Sequence, residues 1–532
     1  MTQEILKNSM TASDNDERGS SISDEIPTIR ILFYTDDPKI VLDPDNIKST
    51  DIDFFSIGRM REHIKAHAPA FAKLSFMWVS RSSDKKHHAD HKLDDVLSKK
   101  PAYDQIWFFG IHQMNKEPFT LGIPKGGGPQ SELDANEVAV LERWMETGGV
   151  LMTGDHANPH PKAVIPPKQD EFCPPSLDHK TFMSLGRALG HLVPRARLLR
   201  QWEGPPTRCV EDSFNTQVLS FGTNLEHTGL EIDATPQQLV LATFDPMGKP
   251  VPGGQPHPLF IDKRGQWIQV FPDHTHEGAV IIPEQLDKKE WPEGNHIQPE
   301  PRVVAYGMDK RNGRRLKIVA AYNGDSAGVG RIVADSTWHH YFNVNLTNFP
   351  PNAGEGSAAD QIGQYYGNLA VWLSPLKKRQ EMAHAMFWWL ASHPLMVEEI
   401  SSGVLNIGRT AYHILSRVAS SCEIHELLQA ASPKAFREHF EMLYFPERES
   451  VLGYLPSKEL ILGCVIDGFH RTIAEVLSLE NTDAQGEYLI DRIIAEGFNQ
   501  AFSIRAKTIK DIAVTAQDYH NKFCQSRLLT KG

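Results

Sequence analysis

The sequence predicts an α/β protein, a doubly wound and mostly parallel sheet that leads into an all-helical C-terminal domain. Three observations carry this. Four short runs, 28–34, 74–79, 105–109 and 150–153, are apolar through most of their length, as strands covered on both faces are. Helical periodicity separates them, and such β-α-β alternation favours parallel pairing through right-handed crossovers. From residue 397 onward the pattern is almost wholly helical, including 457–479 and about 487–524.

Taken in order, residues 1–25 are rich in Ser, Asp, Glu and Asn without an apolar core, and read as a disordered tail rather than a signal peptide. Residues 60–72 form an amphipathic pattern and 93–98 a short helical turn. Residues 133–146 place Val138, Leu141, Trp144 and Met145 on one helix face, and Thr147-Gly148-Gly149 stops that helix. Strand 150–153 then empties into the polar turn Gly154-Asp155-His156-Ala157-Asn158-Pro159-His160. From about 159 to 300 the chain is Pro- and Gly-rich, with one helix near 177–189 and short strands at 238–244 and 267–271, and reads as an insertion. Strands return at 302–306, 316–321 and 331–334, and helix 377–392 closes an α/β domain of residues 26–395. His393-Pro394 marks the boundary to a helical domain of residues 396–532.

Composition narrows the function classes. With 55 basic against 67 acidic residues the net charge is -12, which argues against nucleic acid as the main partner. The five cysteines, Cys173, Cys209, Cys422, Cys464 and Cys524, are scattered and lack C-x-x-C spacing, so neither a disulfide framework nor a thiolate zinc site is expected, and a reducing cytoplasm fits. The most apolar helical run, 382–390, is too short to cross a bilayer.

No P-loop, G-x-G-x-x-G, G-x-S-x-G or H-E-x-x-H motif occurs, so no nucleotide cofactor is indicated. Three polar clusters remain, each after a predicted strand: Asp155, His156 and His160; Asp273, His274, His276 and Glu277; Asp335, Ser336, His339 and His340. Imidazole and carboxylate ligate divalent zinc, manganese or iron, and they also move protons. The candidate catalytic set is Asp155, His156, Glu277, Asp335, His339 and His340; the candidate metal ligands are Asp155, His156, His274, His276 and His340. Aspartate and histidine at strand ends also cap helices and satisfy buried backbone groups, so convergence of the clusters decides between the two readings. The lysine- and histidine-rich stretch 85–91 reads as a solvated loop, His63 and His67 as surface or packing residues, and Trp388 and Trp389 as core aromatics.

Several segments together resemble the class I glutamine amidotransferase-like fold, a flavodoxin-like sheet, and within it the trehalose-utilisation ThuA-like group. They are strand 29–34, Tyr103-Asp104-Gln105-Ile106-Trp107-Phe108-Phe109, Trp144-Met145-Glu146-Thr147-Gly148-Gly149, Gly154-Asp155-His156, and Gly330-Arg331 leading to Trp338-His339-His340. The resemblance spans 27–392, interrupted by the insertion. It implies a nucleophile turn after the central strand, yet this chain has Asp155 and His156 there and no cysteine, so glutamine hydrolysis through a thiolate is not expected. It implies instead a role around carbohydrate or another small polar molecule, and the clustered His and Asp residues point to a hydrolase or related enzyme acting on such a substrate through a divalent metal or a histidine–carboxylate pair. The alternative is a non-catalytic ligand sensor or scaffold whose C-terminal helices contact a partner or a second copy of the chain.

Overall fold

The computed structural model describes residues 26–35, 56–80, 92–98, 103–109, 135–153, 219–221, 227–230, 236–245, 249–272, 280, 282, 286, 288, 291–294, 298–308, 315–336, 338–346, 348–398, 403–434, 457–478 and 483–529. Eight strands form the main sheet: β1 (Thr28–Thr35), β2 (Lys73–Ser80), β3 (Gln105–Phe109), β4 (Gly149–Thr153), β5 (Val240–Leu241), β6 (Arg302–Met308), β7 (Arg315–Tyr322) and β8 (Ile332–Asp335). Their spatial order is β2-β1-β3-β4-β8-β7-β6-β5. The first five in that order pair in parallel, and β7, β6 and β5 extend the sheet by antiparallel pairing. The order reverses between β1 and β3, which is where open α/β sheets leave a crevice at their carboxyl edge.

Strand periodicity explains why the sheet is covered twice. Ile29, Ile31, Phe33, Trp107, Leu151 and Val333 point into one core, with α1 (Gly58–His67) and α5 (Ala358–Trp372) packed over them. Leu32, Tyr34, Ile106, Phe108, Val150, Met152 and Ile332 point into the other, beneath α2 (Leu93–Leu97) and α3 (Ala135–Trp144). The stop after α3 falls where the sequence places it: Gly148 N–H closes on the Trp144 carbonyl at 2.9 Å. Gly149 serves a close approach, since a β-carbon there would lie 1.8 Å from the Leu373 carbonyl oxygen.

Two sequence expectations change. The helix predicted at 60–72 ends at His67 because Ala68 takes an extended conformation (φ -67, ψ 143) ahead of Pro69, whose ring disfavours helical geometry in the residue before it. The strand predicted at 238–244 is three two-residue pieces, each bonded to a different partner: Gln237–Gln238 to Val270–Phe271, β5 to β6, and Thr243–Phe244 to Gln255–Pro256. Of the predicted 267–271 only Val270–Phe271 enters a ladder, with Trp267 bridged to Ile261. This stretch of the expected insertion therefore supplies both a sheet edge and core residues, among them Leu259, Phe260 and Phe271. The helix expected near 177–189 and the tail 1–25 lie outside the described residues.

The remaining helices are α4 (Asn343–Leu346), α6 (Leu376–Ser392), α7 (Pro394–Glu398), α8 (Val404–Leu415), α9 (Ser421–Ala431), α10 (Ser457–Ser478) and α11 (Asp483–Leu529). Met386, Ile407, Leu428, Val465, Phe469 and Phe498 belong to the same buried cluster as the first sheet face, so the apolar core runs without a break from sheet to helices. No helix among the described residues is long and apolar enough to cross a membrane.

Candidate active site

The register Thr35↔Phe109 and Thr153↔Asp335 lines up the carboxyl ends of the parallel strands in one row. Asp335, the last residue of β8, alternates with Ile332 and Ala334 and so points into the first core together with Val333. The backbone leaves the strand at Ser336, whose N–H bonds the Ile318 carbonyl at 2.8 Å. A single helical turn, Trp338–Tyr341, then brings the chain back over the strand tip. There His340 Nδ1 lies 2.8 Å from Asp335 Oδ1, and the Tyr341 hydroxyl donates to Asp335 Oδ2 at 2.9 Å. Asp335 is 0 % and His340 1 % exposed, so this contact is shielded from water.

Aromatic residues close over the pair. The Phe271 ring meets the imidazole edge to face at 5.0 Å, and the Tyr366 hydroxyl donates to the His340 carbonyl. The Tyr341 and Tyr365 hydroxyls are 3.5 Å apart. Burial, reinforced by the Asp335 carboxylate, pushes the phenols of Tyr341, Tyr365 and Tyr366 well above their ordinary range, so all three stay protonated and act as donors. A carboxylate accepts only, so Nδ1 of His340 carries the proton it donates; in the neutral ring the lone pair then belongs to Nε2. This is the arrangement by which a carboxylate orients an imidazole that serves as a base or as a metal ligand.

Of the residues singled out from sequence, the structure brings Asp335 and His340 together. The backbone of His339 lies in the same turn. Asp155, His156, His160, Asp273, His274, His276 and Glu277 lie outside the described residues, as does the side chain of His339. Among the described residues no group of three or more His, Cys, Asp or Glu side chains is placed to hold a metal ion. Tyr341 is a site residue that sequence reasoning passed over, although it directly follows His339-His340. Tyr365 and Tyr366 come from α5 and give no local signal.

His63 and His67 are packing residues on α1. His63 Nε2 donates to the Phe349 carbonyl at 2.8 Å, and burial lowers that imidazole to about 4. His67 spans from the His63 carbonyl (2.9 Å) to Asp360 (3.3 Å) on α5. Trp388 and Trp389 pack partly buried against the main core. Comparison of the chain with protein-family models, characterised proteins and solved structures gives no match.

Proposed function

We propose that the chain is a hydrolase acting on a small polar, carbohydrate-like molecule, with His340 as the general base and Asp335 as the group that orients it. The observation that carries this reading is the buried Asp335–His340 contact at the carboxyl edge of the parallel strands, the usual place for a ligand in an open α/β sheet. The order β2-β1-β3-β4-β8 follows the 2-1-3-4-5 winding of flavodoxin-like sheets, which supports the amidotransferase-like and ThuA-like reading.

The routes of the chain into the other two clusters also support a shared site. Thr153, two residues before Asp155, is the register neighbour of Asp335, and Phe271, three residues before His274, touches the His340 ring.

In the proposed reaction Nε2 of His340 takes a proton from the attacking water while Asp335 stabilises the imidazolium that forms. Tyr341 keeps the second Asp335 oxygen occupied, so the carboxylate does not turn away from the ring. A divalent zinc, manganese or iron ion, where bound, would be held by Asp155, His156, His274 and His276, with Nε2 of His340 kept for the proton and Glu277 and His339 as further proton-transfer groups. Such an ion would supply an acidified water or a polarised carbonyl.

The test is turnover of a panel of sugar esters, lactones and amides, with metal content measured on the purified protein. His340→Gln and Asp335→Asn are expected to lower kcat on any substrate found by about 10²- to 10⁴-fold without a comparable loss of folded protein. His274→Ala is expected to lower metal content. Undiminished turnover in both dyad variants would overturn the catalytic reading; a metal content unchanged by His274→Ala would remove the ion from it. The near-complete burial of His340 favours a second reading, a ligand sensor in which the pair is a rigid support. That reading predicts sugar binding without turnover.

A further inference from the structure

A second polar cluster lies on the helices, away from the Asp335–His340 pair at the sheet. Lys458, the second residue of α10, places its Nζ 3.0 Å from the hydroxyl of Ser421, the first residue of α9. Tyr412 of α8 lies beside them, its ring 5.7 Å from the Lys458 amine. Three helices thus deliver an amine, a hydroxyl and a phenol to one point. We propose that Ser421 is a nucleophile activated by Lys458, forming an acyl-enzyme with small esters or activated amides.

The local chemistry supports each role. Ser421 is not consumed by capping, because its neighbour Ser420 performs that task in a reciprocal pair with Glu423. Burial pushes the Lys458 amine down to about 7, against the opposing pull of Glu459 and Cys422, so a large fraction is an uncharged base at neutral pH. His425 also faces the amine, and burial and the Lys458 charge hold it well below the usual imidazole range, as a neutral ring. Ser421 opens an eleven-residue helix, whose amino end stabilises the negative charge that gathers on an attacked carbonyl oxygen. Ser421 is 6 % exposed, and Lys458 and Tyr412 beside it are half-buried.

The chemistry balances without a further reagent. As the Ser421 oxygen bonds to the ester carbonyl carbon, its proton passes to Lys458. When the carbon–oxygen bond to the alcohol breaks, Lys458 returns that proton to the leaving alkoxide. Water then attacks the acyl-serine, giving its proton to Lys458, which passes it to the departing Ser421 oxygen; the products are an acid and an alcohol.

Phenylmethanesulfonyl fluoride tests the proposal on the full chain. The expected result is one sulfonyl group on Ser421 by intact mass and peptide mapping, at a rate that rises with pH through a midpoint near 7. Lys458→Arg keeps a hydrogen-bond donor but cannot be deprotonated, and is expected to slow labelling at least tenfold. Lys458→Met should do the same, and circular dichroism melts verify that both variants fold. No adduct on Ser421 in the native protein at pH 8 would overturn the proposal, as would a label on Cys422 or Tyr412 instead. An undiminished rate in folded Lys458→Arg would do so equally. None of these outcomes depends on His340.

Discussion

At the scale of single residues, the environment that the fold gives a side chain decides its protonation state. Glu423 is the clearest instance. Its carboxyl closes the capping box of α9 by accepting the Ser420 N–H at 2.6 Å, yet it is fully buried. Burial outweighs that hydrogen bond and pushes the carboxyl up from 4.5 to about 8. A group raised in the folded state contributes its stability in full below the unfolded value of 4.5 and loses it as pH climbs towards 8. Glu423→Gln keeps the acceptor for Ser420 and cannot ionise. Its melting temperature is therefore expected to gain on that of the parent between pH 4.5 and 8, by an amount worth up to a few kcal/mol. Thermal melts of both proteins at half-unit pH intervals check this, and parallel curves would show that Glu423 is not neutral in the fold.

At the scale of elements, close helix packing sets the geometry of the C-terminal half. α8 and α10 meet at two glycines: a β-carbon on Gly408 would lie 1.6 Å from the Glu459 carbonyl oxygen, and one on Gly463 1.7 Å from that of Val404. Backbone cannot yield as a side-chain tip does. Gly408→Ala and Gly463→Ala are each expected to destabilise by about 1–3 kcal/mol as the helices are forced apart, despite the better helix propensity of alanine. Gly354, a loop residue whose β-carbon would meet nothing within 4 Å, provides the neutral control in the same denaturant titration. Such a crossing is invisible in sequence, because nothing local distinguishes it from a helix-weakening glycine. β3 and β4 were legible for the converse reason, being uninterrupted apolar runs buried on both faces. The end of α1 was legible in principle, since Pro69 marks it. The broken segment at 237–244 was not, because its pieces are defined by partners distant in sequence. The candidate site divides in the same way. Asp335 and His340 announce themselves at a strand tip, whereas Tyr365 and Tyr366 arrive from a helix that follows and only tertiary packing brings them there.

At the scale of the whole molecule, sheet and helices are joined by charge as well as by apolar contact. Arg331, just before β8, reaches Asp325 at 2.7 Å and Glu426 of α9 at 2.6 Å. Arg379 of α6 reaches the same two acids at 2.5 and 3.2 Å. Two cations and two anions make the set neutral, and Arg331 also lies over the Trp372 ring at 4.6 Å and donates to its carbonyl at 3.0 Å. Burial alone would raise Asp325, but the two guanidinium groups outweigh it and hold the carboxyl down at about 2. The arrangement places a residue of the resembling segment, Arg331, under the control of a helix beyond the expected boundary near residue 395. Glu426→Gln leaves Arg331 and Arg379, respectively 1 % and 0 % exposed at their side chains, facing a single carboxylate. Removing one member of a buried ion set typically costs ~3–5 kcal/mol, because the remaining charge is left without compensation in a medium that solvates it poorly. Urea unfolding of Glu426→Gln is therefore expected to show a midpoint well below that of the parent with an unchanged slope, the sign of a less stable but equally cooperative fold. If the helices were an independent appendage, the loss would be confined to a separate helical transition, and the sheet, followed by hydrogen exchange of the β1 and β3 amides, would unfold at the parental midpoint.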